Sequence, residues 1–333
     1  MKNNISVTFV MPIYNASKYL NESIGSIFAQ SCPNWRLICI DDGSSDDSCN
    51  IVENYVDKDK RVSLIKQENA GPAVARARAI QKVETEYVAI IDADDKIDGN
   101  YVGKMLEYAS KFGGADIVTP NVKYIYDNNN MNKPYFRFDA CNLYDGLVIE
   151  DGMDGFALTI PWRLHGWQMI KTSFAKMYYI VSLVDYSKLN SDEFITRYLY
   201  LKSTRTVCCD ALYMHRCDNP DSLTRTVKLL NFDCLVTLDK LIDLCEQEKV
   251  REDIIVELYN LCYVTLLNMI RSICFLSKKE QNTAKGLVED FYVNSYRAKF
   301  PLCLILRNAP IRTIVKFVLS MCGIAFVKKV LCR

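Results

Sequence analysis

The chain has 333 residues, 50% of them apolar and 24% charged, with a formal net charge of +1. That length fits about two domains rather than one small core, and the composition excludes a disordered or fibrous chain. The near-neutral balance excludes a global field that would recruit nucleic acid.

Fourteen cysteines are scattered without a C-x-x-C pair, so a zinc site is not expected and the thiols are read as reduced, in a cytosolic setting. The opening MKNNISVTFVMP lacks the long apolar core of a signal peptide and leads directly into a strand. A cytoplasmic protein is therefore expected.

Up to residue 121 the hydrophobic period switches repeatedly. Runs 5–11, 35–40, 61–65, 87–91 and 115–120 suit strands. The segments between them suit helices: Leu20, Ile24 and Ile27 share one face, as do Val102, Met105, Leu106 and Ala109. Four strand–helix–strand repeats predict right-handed crossovers and an α/β fold with a mostly parallel sheet flanked by helices. Residues 122–150, with the run YDNNNMNKPY, are expected as a surface loop or hairpin. From 226 onward a helical period persists, so 226–333 reads as a helical appendage to a domain of residues 1–225.

Motifs stand after successive strands. The first strand runs into Pro12-Ile13-Tyr14-Asn15, where Pro12 is expected to stop the ladder. Tyr14 either lids the core or stacks on a base. The second strand ends in Asp41-Asp42-Gly43-Ser44-Ser45-Asp46, either a turn with a helix cap or carboxylates that accept hydrogen bonds from a nucleoside. Next comes Asn69-Ala70-Gly71-Pro72 with Arg76 and Arg78, which is neither a Walker loop nor a dinucleotide fingerprint. The fourth strand ends in Asp92-Ala93-Asp94-Asp95. Carboxylates this close repel, which predicts a divalent cation among Asp92, Asp94 and Asp95. Ligands of open parallel sheets bind at this rim.

Taken in order, these motifs over residues 6–98 resemble the nucleotide-binding half of family 2 glycosyltransferases, which have the GT-A fold. The resemblance implies that Pro12 and Tyr14 bound a base pocket, that Asp42 holds the base with Asp41 beside it, and that Arg76 approaches the nucleotide or its phosphates. Asp92 and Asp94 would form the family's Asp-x-Asp element, and Mn²⁺ or Mg²⁺ would bridge it to the diphosphate of a sugar nucleotide. A UDP-sugar is favoured.

In the acceptor half, 122–225, the family's acidic pair corresponds to Asp192-Glu193. Glu193 is favoured as the base, with Asp192 as its neighbour or substitute; a helix-start pair suited to the dipole is the alternative. Segment 213–225 resembles the family's diphosphate-proximal segment, which makes His215 and Arg216 phosphate contacts. Trp162, His165, Trp167 and Gln168 fall where the family forms an acceptor wall. The family often has Lys after Trp-Gly here, and this chain has Gly166-Trp167-Gln168.

Residues 297–333 hold eight Lys or Arg and no Asp or Glu among many apolar residues. No stretch there reaches a spanning length of about 20 apolar residues. A basic amphipathic helix lying on the inner face of a membrane, or a helix packed on the body, is expected. The implied activity is inverting, metal-dependent transfer of a sugar to a hydroxyl of a glycan or lipid-linked acceptor. Two rival readings are a non-catalytic nucleotide-sugar-binding protein and a membrane-associated scaffold.

Overall fold

The computed structural model describes residues 6–126, 138, 141–219 and 227–301. The Asn-rich run and residues 302–333 of the basic tail lie outside the described residues. The chain forms two compact units, residues 1–222 and 223–333.

The first unit is built on one sheet of order β3-β2-β1-β4-β8-β6-β9-β5, with β7 paired to β9. Strands β1 (Val7–Ile13), β2 (Trp35–Asp41), β3 (Val62–Lys66) and β4 (Tyr87–Ile90) alternate with helices α1 (Ser17–Phe28), α2 (Ser48–Val56) and α3 (Pro72–Ile80). They pair in parallel, as the alternating periods predict. After the two-residue β5 (Lys96–Ile97), α4 (Tyr101–Lys111) leads into β6 (Ile117–Ile125). Then follow β7 (Val148–Ile149), α5 (Gly152–Thr159), β8 (Met169–Lys171), α6 (Thr172–Tyr178), α7 (Val181–Val184), α8 (Ser191–Lys202) and β9 (Thr206–Arg216). β8 inserts antiparallel between β4 and β6, and β6 pairs with β9 in parallel.

Successive side chains alternate across a strand, and here each face has its own core. Phe9, Met11, Leu37 and Ala89 pack with α1 and α4. Val10, Ile38, Ile40 and Val88 pack with α3, Leu164 and α8. Helix α3 is made mostly of alanine and valine. Its small side chains suit a close approach to β1 and β2.

Pro12 does not end the first strand. It pairs with Ile40 inside β1. The reason is directional: Val10 accepts from Ile91 on the β4 side, so Pro12, two residues on, also faces that side. The β1–β4 ladder has ended at Val10 and Ile90, so the missing N–H of proline forfeits no bond.

In the second unit, α9 (Asp233–Gln247), α10 (Glu252–Ser272) and α11 (Lys278–Asp290) pack together, and a π-helical turn follows at Phe291–Arg297. Ser277 and Glu280 form a reciprocal capping box at the start of α11. Lys299 pairs with Asp239 at 3.2 Å and with Asp243, one turn apart on α9. The stretch Glu252–Phe275 is long and apolar enough to cross a membrane by length and composition alone. Ile254, Leu258, Tyr259, Cys262 and Leu266 are buried, and in all 33% of that stretch's apolar window is buried.

The packing of residues 152–203 depends on close approach of α5 to the end of α8. A Cβ at Gly152 would lie 2.1 Å from the Leu201 carbonyl oxygen. Gly152→Ala should therefore destabilise the fold by about 3 kcal/mol. Urea unfolding measures this, and an unchanged midpoint would contradict the packing described.

Candidate active site

The loops after β1, β2, β3 and β4 lie along one rim of the sheet, because parallel strands present all their carboxyl ends on the same side. Two of these loops are laced together. Asn15 Oδ1 accepts from Ser45 N at 2.8 Å, and Asn15 N donates to Ser44 Oγ at 3.0 Å. Asp46 accepts from Ser17 N and Ser48 N, both at 3.0 Å, so one carboxylate serves the starts of α1 and α2. Tyr14 projects from this lacing, 53% exposed.

The two aspartates after β2 differ in role. Asp42 is buried, and its carboxylate accepts from Gln67 Nε2 at 2.6 Å and from Ala70 N and Gly71 N at 2.8 Å. Through these three donors Asp42 tethers the β3–α3 loop. The Asp41 carboxylate accepts from Ser44 N at 3.2 Å and so engages fewer donors than that of Asp42. Gly71, at φ +92°, is required where the loop meets Lys188: a Cβ would lie 2.9 Å from the Lys188 Cα.

The Asp92–Asp95 cluster also divides. Asp92 accepts from Arg76 Nη2 at 2.6 Å and from Trp167 Nε1 at 2.9 Å. Burial raises its pKa, but the Arg76 charge prevails and holds it below the usual range. Asp95 is fully buried. Its carboxylate accepts from the Tyr213 hydroxyl at 2.7 Å, Arg216 N at 2.8 Å and His215 Nδ1 at 3.1 Å. Burial pushes its pKa up to about 6. Asp95 therefore faces the interior and not a metal at the rim.

Asp94 is partly exposed and accepts from Asn219 Nδ2 at 2.7 Å. Burial raises its pKa. The clustering of acids thus finds much of its compensation within the protein, in Arg76, Trp167, Tyr213 and His215, and does not by itself demand a cation. A dication still fits at Asp94. Mg²⁺-type ions are commonly bound by one or two carboxylates and complete their shell with water and substrate phosphate.

His215 and Arg216 part company as well. The His215 ring lies 4.7 Å from Trp167 and remains partly exposed. Burial lowers its pKa, yet the bond to Asp95 outweighs burial and the net shift is upward. Arg216 is buried against the Tyr19 ring, pairs with Glu22, and donates from Nε to the Asp94 carbonyl at 3.0 Å. Its guanidinium braces the turn from behind, which conflicts with the expected phosphate contact.

In α8 the two acids of the pair meet different partners. Asp192 Oδ2 lies 3.4 Å from Arg76 Nη1. About a third of its side chain is open to solvent, and burial of the remainder raises its pKa. Glu193, the residue favoured from sequence, instead pairs with Arg197 Nη1 at 3.0 Å, and the Arg197 guanidinium stacks 3.9 Å over Trp162. The expected acceptor wall breaks up accordingly: Trp162 covers Arg197, Trp167 orients Asp92, and His165 and Gln168 are buried.

Sequence reading missed Tyr213, Asn219 and Lys188. Tyr213 carried a signal, since it stands two residues before His215 and a strand puts both on one face. The Ser-x-Thr part of segment 213–225 lies outside the described residues.

Residues 8–166 match the model of glycosyl transferase family 2. The chain is 28% identical to the glycosyltransferase GlyA of Streptococcus pneumoniae serotype 4 over 225 residues, covering 63% of this chain and 30% of GlyA. It is 34% identical to the putative teichuronic acid biosynthesis glycosyltransferase TuaG of Bacillus subtilis over 131 residues, covering 36% of this chain and 52% of TuaG. The aligned stretch thus spans about half of TuaG and less than a third of GlyA. Among solved structures, S. aureus TarS 1–349 in complex with UDP superposes with a TM-score of 0.69 at 18% identity, covering 99% of this chain and 92% of that one. The same protein in complex with UDP-GlcNAc gives 0.70 at 18% identity, covering 95% and 90%. The GT-A fold is shared.

The buried Asp95 makes a pH prediction. It is easier to protonate folded than unfolded, with a pKa of about 6 against 3.8. Its stabilising contribution is therefore full below the lower value and is lost as pH rises through the higher. Relative to Asp95→Asn, the wild type should lose up to about 3 kcal/mol between roughly pH 4 and 6.5. Urea unfolding across that range measures the difference, and a difference that does not vary with pH would contradict the assignment.

Proposed function

We propose, from the match of residues 8–166 to the model of glycosyl transferase family 2, that the chain transfers a sugar from a nucleotide-diphosphate donor to a hydroxyl of a glycan or lipid-linked acceptor. The observation that carries this reading is the convergence, on one sheet rim, of Asp92, Asp94 and the Asp192 carboxylate from a separate helix. UDP and UDP-GlcNAc complexes of TarS support a UDP-sugar donor. Tyr14 and Asp41 are the base-pocket residues in this reading, with Asp42 securing the loop beside them. His215, bonded to Asp95 and partly exposed, is the phosphate contact in this reading.

The reaction is a single displacement. The acceptor hydroxyl oxygen attacks the anomeric carbon, and the bond to the diphosphate oxygen breaks with its electron pair leaving on that oxygen. Asp192 takes the hydroxyl proton and so serves as the base, in place of Glu193. Its raised pKa, caused by burial, suits a proton acceptor, and a single displacement of this kind inverts the anomeric centre. Mn²⁺ or Mg²⁺ held by Asp94 would supply neutralisation of charge on the departing diphosphate. The basic residues of 297–333 would bring the enzyme to an anionic membrane surface, which suits a lipid-linked acceptor.

Two measurements test this. In a thermal-shift panel of nucleotide sugars, a UDP-sugar with Mn²⁺ should raise the melting temperature, because a ligand that binds only the folded state stabilises it. No shift with any nucleotide sugar contradicts donor binding. In turnover assays, Asp192→Asn should lower kcat by about 100-fold or more, and Glu193→Gln by less than about threefold. The reverse pattern would return the base to Glu193.

A further inference from the structure

The resemblance implies that Arg76 meets the nucleotide or its phosphates, but its surroundings favour another role. Nη2 donates to Asp92 Oδ1 at 2.6 Å, and Nη1 donates to Asp192 Oδ2 at 3.4 Å. The side chain is 9% exposed. Both terminal nitrogens of the fork are engaged by carboxylates, and Nε is buried without a hydrogen-bond partner, so the guanidinium turns little of its donor edge to a phosphate outside.

We propose that Arg76 is a positioning residue, which fixes the base carboxylate of Asp192 at a set separation from Asp92 and thereby ties helix α8 to the donor-binding half. This rests on the reading of Asp192 as the base. The helix carrying Arg76 is itself anchored at its start. Asp42 binds Ala70 N and Gly71 N, and Lys188 Nζ donates to Asn69 O at 2.9 Å and to Asn69 Oδ1 at 3.0 Å. Lys188 lies four residues before Asp192. The start of α3 is thus bonded to the segment that leads into α8, and Arg76, one turn along α3, is bonded to the first turn of α8.

Two tethers therefore join elements more than 100 residues apart in sequence. The partner assignments of the neighbouring acid agree: Glu193 turns away to Arg197, leaving Asp192 to Arg76. With Asp92 held on its far side by Trp167, the guanidinium has a fixed end from which to locate Asp192. Rate depends steeply on such placement, and an error of about 1 Å can cost about 100-fold.

The test uses the full chain, with Arg76→Gln and the charge-retaining Arg76→Lys, each checked for folding by circular dichroism. Calorimetry with UDP and Mn²⁺ reads affinity. Nucleotide release from the sugar nucleotide of highest turnover in the panel reads kcat. UDP–Mn²⁺ affinity should stay within about threefold of wild type, while kcat falls about 100-fold in Arg76→Gln and recovers about tenfold in Arg76→Lys. In an Asp192→Asn background, Arg76→Gln should lower the residual rate no further. A tenfold or greater loss of UDP–Mn²⁺ affinity with little change in kcat makes Arg76 a phosphate ligand and overturns the proposal. A full further loss in the Asp192→Asn background overturns it as well. Inactive Asp192→Asn with fully active Arg76→Gln sinks the positioning role alone, whereas fully active Asp192→Asn sinks the base reading and this proposal together.

Discussion

Carboxylates gathered at a sheet rim must be compensated, and in this protein the largest share falls to one buried guanidinium. Arg76 stands between Asp92 at the end of β4 and Asp192 at the start of α8. Removing one partner of a buried pair typically costs about 3–5 kcal/mol, because an uncompensated charge remains. The side chains around it are arranged accordingly. Small residues let α3 lie close to the sheet, Asp42 secures the loop before it, and Trp167 occupies the other oxygen of Asp92.

A second compensation sits behind the first. Asp95 and His215 share a hydrogen bond within the turn, with Tyr213 and Arg216 N completing the carboxylate's partners. Tyr213 stacks on Trp167 at 5.0 Å with a 16° interplanar angle. β9 thereby supports the Asp92–Asp95 turn. The polar groups of the rim are held by residues from early and late stretches of the first unit.

Much of this was legible in the sequence. The alternating periods of the first 121 residues foretold β1 to β4, β6 and their helices, because each strand there is a short apolar run bounded by turn residues. The motif order placed the rim. What escaped was the second half. β9, TVCCDALYMHR, is buried for most of its length, so no apolar–polar alternation marked it, and β8 is only three residues long. Without β9, nothing in the sequence said that Asp95 turns inward to Tyr213 and His215, nor that Arg216 lies behind the turn. The choice between Asp192 and Glu193 likewise depended on which one meets Arg76, a contact across 116 positions.

The most direct measurement is anomalous diffraction at the manganese edge from crystals grown with UDP and Mn²⁺. One peak within bonding distance of the Asp94 carboxylate, with the uracil lying against Tyr14 and Asp41 and the Arg76 bridge between Asp92 and Asp192 intact, is the expected result. UDP bound at the rim with manganese absent from Asp94, or with Arg76 swung out of the bridge onto the diphosphate, would contradict it.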